Sequence, residues 1–335
     1  MPRPPAHPEP FEIACDESGS DGENLVNGNT DVFAHASVRL EPGPAAEGLR
    51  ETVDRISSPA RSAATEYKAN VLLRGKHRAT LTWLLGPAGP ILGRAHVHLT
   101  DKRYFVVDRA VGLLADGDPA MRSAALAAHR AGPRTFGPER WRDFLDAAND
   151  LLRTGQRTES PAPVDAFFAT VDALLAVADA AGPAGEFLAL LRRTRPRAES
   201  LRTRAPADPG EFPALDPLFP ALVGTVAHWS AGGHRVTVVH DRQNMLTDAR
   251  VGHLKQTCGG ALADLRLVEA SHDARVQLAD FLAGAARKIA SDTLAGHDDE
   301  ELTALLRPYV NRSSLWAGPA PLADGPADPQ VAGHH

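Results

Sequence analysis

The alternation of apolar and polar residues predicts five β-strands along the chain. The clearest is HRVTVVHD (234–241), in which β-branched residues alternate and the run ends on an aspartate. FEIAC (11–15) is a shorter apolar run that ends against Asp16, and a loop rich in glycine, aspartate and asparagine follows it. The other predicted strands are 31–40, 94–100 and 265–270. Two strands joined by such a loop at the start of the chain predict an antiparallel hairpin within a mixed sheet.

Apolar residues at helical spacing predict the helices that flank this sheet. The best amphipathic pattern is 275–291, which brings Val276, Phe281 and Leu282 near one side. A helix over 101–115 starts with an aspartate, which is typical of a helix N-terminus. Further helices are predicted at 46–58, 76–85, 219–230 and 298–307.

Residues 116–215 differ from the rest because they are rich in alanine, arginine and proline and carry no strand pattern. Helical patterns occur there near 139–153, 163–181 and 185–194. We therefore predict an α/β fold, a single domain over 11–310 whose mixed sheet is flanked by helices and which carries a large helical insertion at about 116–215. The proline-rich residues 1–10 are predicted to be flexible, and the non-periodic tail 317–335 is predicted to be disordered.

Composition narrows the class of protein. The 335 residues include 36 Lys and Arg against 42 Asp and Glu, a net charge of −6, which excludes a strongly basic nucleic-acid binder but not a local basic patch. The window 186–204 holds six arginines and two glutamates and suits either a solvated helix face or such a patch. Two cysteines exclude a disulfide scaffold. Without a long apolar run or a secretory signal, we expect a cytoplasmic protein with no membrane partner.

Three aspartates stand where a charged side chain is unusual. Asp16 and Asp241 each end an apolar strand, and Asp280 lies within an apolar helical stretch. A carboxylate in such surroundings is costly unless it is paired or binds a cation, and carboxylates are the ligands that Mg²⁺ prefers. Turn and N-cap roles for the strand-end residues, and a place at the polar edge of the helix for Asp280, are the alternatives. Spacing alone does not show that the three meet.

Four short motifs in this order resemble the DUF3800 family, a group with a ribonuclease H-like fold. The resemblance spans about 11–290, with 116–215 poorly matched. The last motif is the most specific and the first is the next. The motifs are Asp-Glu-Ser-Gly (16–19), Glu-Tyr-Lys (66–68), Val-His-Asp-Arg-Gln (239–243) and Val-Gln-Leu-Ala-Asp-Phe-Leu-Ala-Gly (276–284).

The resemblance implies a metal-dependent nuclease site that uses Mg²⁺ or Mn²⁺ and acts on RNA or DNA. Its implied metal ligands are Asp16, Glu66, Asp241 and Asp280, and its implied water- or phosphate-orienting group is Lys68. Roles in positioning the substrate are implied for Glu17, Ser18, Gln243, His272 and Gln277. One departure is Ser271-His272, because family members often carry Ser-Lys there and histidine offers a weaker, pH-dependent charge.

Two other functions stay open at this point. A non-catalytic nucleic-acid or protein-binding module of the same fold would agree with the net negative charge and with His272. A phosphoesterase acting on small nucleotides would explain the lack of overall basicity, because a small substrate needs no long positive track. A separate zinc site is suggested by His96 and His98, which share one strand face, but no third ligand is evident near Asp101.

Overall fold

A mixed five-stranded sheet lies at the centre of the part of the chain that the computed structural model describes, which is residues 9–56, 67–153, 162–177, 182–203, 212–319 and Leu322. Its spatial order is β3-β2-β1-β4-β5. The strands are β1 (Phe11–Ser18), β2 (Val32–Val38), β3 (Ala95–Asp101), β4 (Val236–Asp241) and β5 (Leu262–Val268). All five predicted strands are confirmed, with ends that differ by a few residues.

The strand directions place the N-terminal strand in the middle of the sheet. Strand β1 runs antiparallel to β2, with Glu17 opposite His35, and β2 runs antiparallel to β3. On its other side β1 runs parallel to β4, with Cys15 opposite His240, and β4 runs parallel to β5. The predicted hairpin of β1 and β2 is therefore confirmed. The ends of β1 and β4 that follow Cys15 and His240 lie at the same edge of the sheet.

Thirteen α-helices are found in the described residues. Those that were not predicted are the short α2 and α9, α5, which continues through Pro133, and α11, whose sequence has little amphipathic pattern. The helices are α1 (Pro42–Ile56), α2 (Ala69–Leu72), α3 (Arg78–Leu85), α4 (Lys102–Leu114), α5 (Pro119–Phe136), α6 (Pro138–Leu152), α7 (Ala162–Val177), α8 (Pro183–Arg192), α9 (Arg195–Thr203), α10 (Leu218–Ser230), α11 (Asp248–Cys258), α12 (Ala274–Leu294) and α13 (Glu300–Leu306).

Aspartates cap the N-termini of α4 and α12. Asp101 accepts hydrogen bonds from the backbone N–H groups of Arg103 and Tyr104 at 3.1 Å each and so starts α4. Asp273 accepts from the N–H of Arg275 at 2.9 Å and starts α12. The cap on α4 confirms the predicted N-terminal aspartate of that helix.

The two faces of the sheet are covered by different helices. Alternate residues of β2 such as Ala34 and Ala36 pack with α1, α3 and α12, whereas Phe33 lies in a second cluster with α10 and α11. On β1 the same alternation sends Ala14 toward α12 and Cys15 toward α10. Both sides are therefore buried, which agrees with the nearly continuous apolar character of these strands.

A further core joins the helices that follow β3. Helix α4 packs against α5 and α6, and buried aromatic residues such as Trp141 and Phe167 fill the space between them. The described residues between 116 and 215 form no strand. The predictions of a flexible 1–10 and a disordered 317–335 lie largely outside the described residues, although Leu322 is buried in the core on the α12 side. Among the described helices, none is long and apolar enough to cross a membrane.

Candidate carboxylate site

Two of the predicted aspartates come side by side at one edge of the sheet. Because Cys15 is paired with His240 on the neighbouring parallel strand, the next residues, Asp16 and Asp241, are adjacent. Both side chains belong to the strand face that packs on α12, since the alternate residues Ala14 and Val239 pack there with Val276. The pairing of β1 with β4, which sequence alone could not establish, is what brings these two carboxylates together.

Asp280 joins them from α12. Its Oδ2 accepts a hydrogen bond from the backbone N–H of Ala69, the first residue of α2, at 2.8 Å. The carboxylate of Asp241 is held in the same way, by the N–H of Ala270 at 2.9 Å. Two of the predicted ligands are thus oriented by backbone donors, one at the start of α2 and one in the turn that precedes α12.

The surroundings of Asp16 make its carboxyl group costly to ionise. Its side chain is buried, and burial, followed by the negative charges of Glu17, Asp280 and Asp241, raises its pKa from 3.8 to about 9. The backbone N–H of Glu17 donates to Asp16 Oδ1 at 2.7 Å and offsets only part of this cost. A carboxyl group whose pKa is raised by burial and by like charges is typical of a functional site.

Glu17 points to the opposite face of the sheet, toward histidines that sequence analysis did not single out. Its Oε2 lies 3.6 Å from Nε2 of His240, and that nitrogen lies 3.2 Å from Nε2 of His35. Gln243 Nε2 donates to Glu17 Oε1 at 3.4 Å, so the first and third motifs are in contact. Burial raises the pKa of Glu17 and lowers that of His35.

His240 and His35 belong to a buried chain of polar contacts. Nδ1 of His240 donates to the carbonyl oxygen of Asp241 at 2.9 Å, because that oxygen can only accept. Nε2 of His240 lies 3.2 Å from Nε2 of His35, and Nδ1 of His35 lies 3.1 Å from the hydroxyl oxygen of Thr225. This buried chain fixes the backbone at Asp241. The alternation of β2 could have indicated His35, because it shares a face with Phe33.

The Glu-Tyr-Lys motif is only partly described. Glu66 lies outside the described residues, so its predicted role as a ligand stays a prediction. Lys68 is exposed at the N-cap position of α2, directly before Ala69, whose N–H holds Asp280. The motif therefore reaches the site through the start of α2.

The remaining predicted residues lie around the same edge. Ser18 Oγ accepts a hydrogen bond from Arg287 Nε of α12 at 2.9 Å. Gln277 is buried on α12, one turn before Asp280. His272 is exposed in the short turn that precedes α12, two residues after Ala270.

The donor set suits a hard divalent cation, although the oxygens are not gathered around one point. Asp16 and Asp241 lie on the strand face that packs on α12, which carries Asp280, and after burial and the charge of Glu17 the charges of Asp280 and Asp241 raise the pKa of Asp16. A bound cation would offset these negative charges. In the part of the chain that is described, no three histidine, cysteine, aspartate or glutamate side chains form a ready metal-holding group. Binding of one ion by these three residues would therefore require their side chains to rotate.

The suggested zinc pair does not form a site in the described residues. His96 stacks on the ring of His228 at 3.9 Å, and His98 Nε2 bonds the carbonyl oxygen of Ser313 at 3.1 Å. The carboxylate of Asp101 is used to cap α4. These histidines pack between β3 and α10.

Gly284 is the last residue of the most specific motif, and close packing of α2 on α12 explains why a glycine stands there. A Cβ at this position would lie 2.3 Å from the Cβ of Ala69, so only glycine lets α2 approach α12 this closely. We expect Gly284→Ala to lower the free energy of unfolding by about 1–3 kcal/mol because α2 must move away. Ala69→Gly in the same chain should restore most of the loss.

The matched control for this prediction is Gly252→Ala in α11, where an added Cβ meets nothing within 4 Å. It should be neutral or stabilise by up to about 1 kcal/mol, because alanine favours helix. Urea unfolding of the wild type and these three variants tests the prediction. Equal stabilities of Gly284→Ala and the wild type would show that α2 does not pack on Gly284.

No protein-family model, curated protein or solved structure matches this chain.

Proposed function

We propose that the chain hydrolyses phosphodiester bonds of nucleic acid with Mg²⁺ or Mn²⁺ held by the carboxylates of Asp16, Asp241 and Asp280. The observation that carries the proposal is the placement of Asp16 and Asp241 at adjacent strand ends on the face that packs on α12, with Asp280 on that helix. Burial, followed by the charges of Glu17, Asp280 and Asp241, raises the pKa of Asp16 to about 9, and an acidic group held at such a cost favours a functional reason for it.

The proposal includes a ribonuclease H-like domain of the DUF3800 type, and the observation that agrees with it is a mixed five-stranded sheet flanked by helices. In the order β3-β2-β1-β4-β5 only β2 runs against the other strands. The parallel neighbours β1 and β4 each contribute one acidic residue from adjacent ends, Asp16 and Asp241. Fold alone does not establish function, so the weight rests on the carboxylates.

In this proposal the protein's own residues orient the metal ligands and contact the substrate phosphate. Asp241 and Asp280 are preoriented by the N–H groups of Ala270 and Ala69. Lys68 is exposed next to this site and offers a cation for a substrate phosphate. When bound, a divalent ion would supply Lewis-acid polarisation of the phosphodiester and offset the negative charge that develops on it.

The test is cleavage of labelled single-stranded RNA, single-stranded DNA, both duplexes and the hybrid in Mg²⁺, Mn²⁺ and EDTA. We expect cleavage only with a divalent ion, and an Asp280→Asn variant that is at least about 100-fold slower. The matched control is Asp292→Asn on the same helix, whose carboxylate pairs with Lys288 away from the site and whose loss should leave the rate unchanged. Cleavage in EDTA, or full activity of Asp280→Asn, would contradict the proposal.

The same assay separates the two other functions. Metal-dependent hydrolysis of mononucleotides but of no polymer would favour a small-nucleotide phosphoesterase. Binding of a duplex in EDTA, without cleavage under any condition, would favour a non-catalytic module. The lack of a ready metal-holding group among the described side chains is the observation that keeps this last function open.

A further inference from the structure

A large cavity lies on the other side of the molecule from α12, between the helices that follow β3 and the pair α10 and α11. Its volume is about 940 Å³, near the upper end of the range for small-molecule pockets. Helices α4, α6 and α9 form one wall, and α10, α11 and the segment 212–216 form the other. We call it the arginine cavity, after five of its lining residues, Arg109, Arg122, Arg153, Arg202 and Arg250.

The charge of the arginine cavity is opposite to that of the chain. Against its five arginines only two carboxylates, Asp108 and Asp216, are found among the described lining residues, in a protein of net charge −6. Arg109 is half-buried and directs its Nε to the neutral carbonyl oxygen of Ala214 at 3.0 Å, and the negative charge of Asp108 offsets only part of the cost of its burial. Burial lowers the pKa of Arg109, which is the cost of holding a cation there. An anionic ligand would relieve this cost.

Aromatic rings line the same end of the cavity. Phe212 and Phe219 have ring centroids 4.7 Å apart, and Phe219 lies 5.3 Å from the ring of His253. The guanidinium of Arg250 is 5.6 Å from the centroid of Phe212. Flat rings next to arginines are the surfaces on which nucleic-acid bases stack.

Asp216 adds a fixed hydrogen-bond acceptor to this wall. Its Oδ1 accepts from the N–H of Leu218 at 2.9 Å, which anchors the side chain. Its buried Oδ2 has no hydrogen-bond partner among the described residues. Such an acceptor suits the hydroxyl or amino donors of a ligand, because a buried acceptor without a partner is costly.

We propose that the arginine cavity binds a nucleotide, with the base against Phe212 and Phe219 and the phosphates near Arg109 and Arg250. The ligand is a nucleoside di- or monophosphate rather than a polymer, because the cavity is bounded by helices on two sides and has the size of a small-molecule site. The proposal does not depend on the metal-dependent reaction, since none of the cavity's lining residues is an implied metal ligand.

The test is calorimetric titration of the full chain with ADP, GDP, CDP and UDP in EDTA, with adenosine and pyrophosphate as partial ligands. At least one diphosphate should bind, and it should bind at least about 10-fold more tightly than adenosine or pyrophosphate, because each of these lacks one half of the recognised groups. Arg109→Gln and Phe219→Leu should each weaken binding by about 10-fold or more. Arg94→Gln, at an exposed position outside the cavity, should not change it.

Two further variants keep the outcome independent of folding and of the carboxylate site. Arg250→Lys retains a positive charge and replaces Arg109→Gln as the test of the cavity if Arg109→Gln does not fold. Thermal unfolding of each variant shows whether it is folded. Asp280→Asn should bind the nucleotide as the wild type does, whatever the cleavage assay shows. Binding of none of the four diphosphates, or equal binding of pyrophosphate alone, would overturn the proposal.

Discussion

Asp16→Asn is expected to abolish divalent-dependent cleavage and, in EDTA, to make the protein more stable than the wild type. Both effects have one cause, the burial of an acidic group beside Glu17, Asp280 and Asp241. The amide keeps the size of the side chain and has no proton to lose, so the unfolded variant gains no stability by ionising this group as the unfolded wild type does. A residue whose removal improves the fold while stopping the reaction is kept for function.

The pH dependence of this stabilisation has a definite sign. The pKa of Asp16 is raised from 3.8 to about 9, so the folded chain holds this proton more tightly than the unfolded chain does. The contribution of Asp16 to stability is therefore fully present below pH 4 and is lost as the pH rises toward 9. At pH 7 the wild type would have lost up to about 4 kcal/mol relative to the amide variant, and the advantage of Asp16→Asn should grow between pH 5 and 8.5.

The measurement is urea unfolding of both proteins at several pH values in EDTA, repeated at neutral pH with Mg²⁺ or Mn²⁺. The ion should stabilise the wild type and not Asp16→Asn, because binding to the folded chain alone raises stability. Asp264→Asn is the matched control, since this aspartate lies on β5 in an exposed pair with Lys255. An Asp16→Asn variant that is less stable than the wild type at pH 8.5 would contradict the buried, repelled carboxylate.

The strands could be predicted because the burial of each strand requires apolar residues in a recognisable pattern along the sequence. HRVTVVHD is rich in valine and FEIAC is mostly apolar, because both faces of β4 and β1 are covered. The capping residue of α4, Asp101, was equally visible. Helix α11 was not, because its burial depends on contacts with α10 and β5 rather than on a strong apolar stripe of its own.

The residues of the carboxylate site could be predicted more readily than their arrangement in space. The strand ends of Asp16 and Asp241 indicated the residues, but their adjacency depends on the parallel pairing of β1 and β4 across more than 200 positions. The face to which each side chain points depends on the same register. Glu17 therefore turned toward His35 and His240, a contact that no local pattern in the sequence contains.

Lys102→Met is expected to cause the largest loss of stability among the variants considered. The side chain of Lys102 is completely buried and its Nζ pairs with Asp21 Oδ2, whose residue is itself nearly buried. Thr30 completes the group, because its hydroxyl donates to Asp21 Oδ2 at 2.8 Å. Removal of the lysine would leave the carboxylate of Asp21 buried beside a methyl group, and breaking a buried pair in this way costs about 3–5 kcal/mol.

A double variant distinguishes the loss of a pair from the loss of packing. Lys102→Met with Asp21→Asn removes both charges and should recover most of the stability, since no buried charge remains. Lys288→Met is the matched control, because the pair of Lys288 with Asp292 is exposed on α12 and should contribute less than about 1 kcal/mol. Urea unfolding of the four proteins at neutral pH measures these differences. A Lys102→Met variant as stable as Lys288→Met would show that the buried pair does not hold the fold.

The position of this pair also separates stability from activity. Thr30 Oγ1 lies 3.3 Å from the carbonyl oxygen of Gly19, so the network of Lys102, Asp21 and Thr30 anchors the loop that directly follows the Asp-Glu-Ser-Gly motif. It does not contact the carboxylates of Asp16, Asp241 or Asp280. Below its lowered unfolding temperature Lys102→Met should therefore cleave at a rate near that of the wild type, whereas Asp16→Asn should fold well and not cleave.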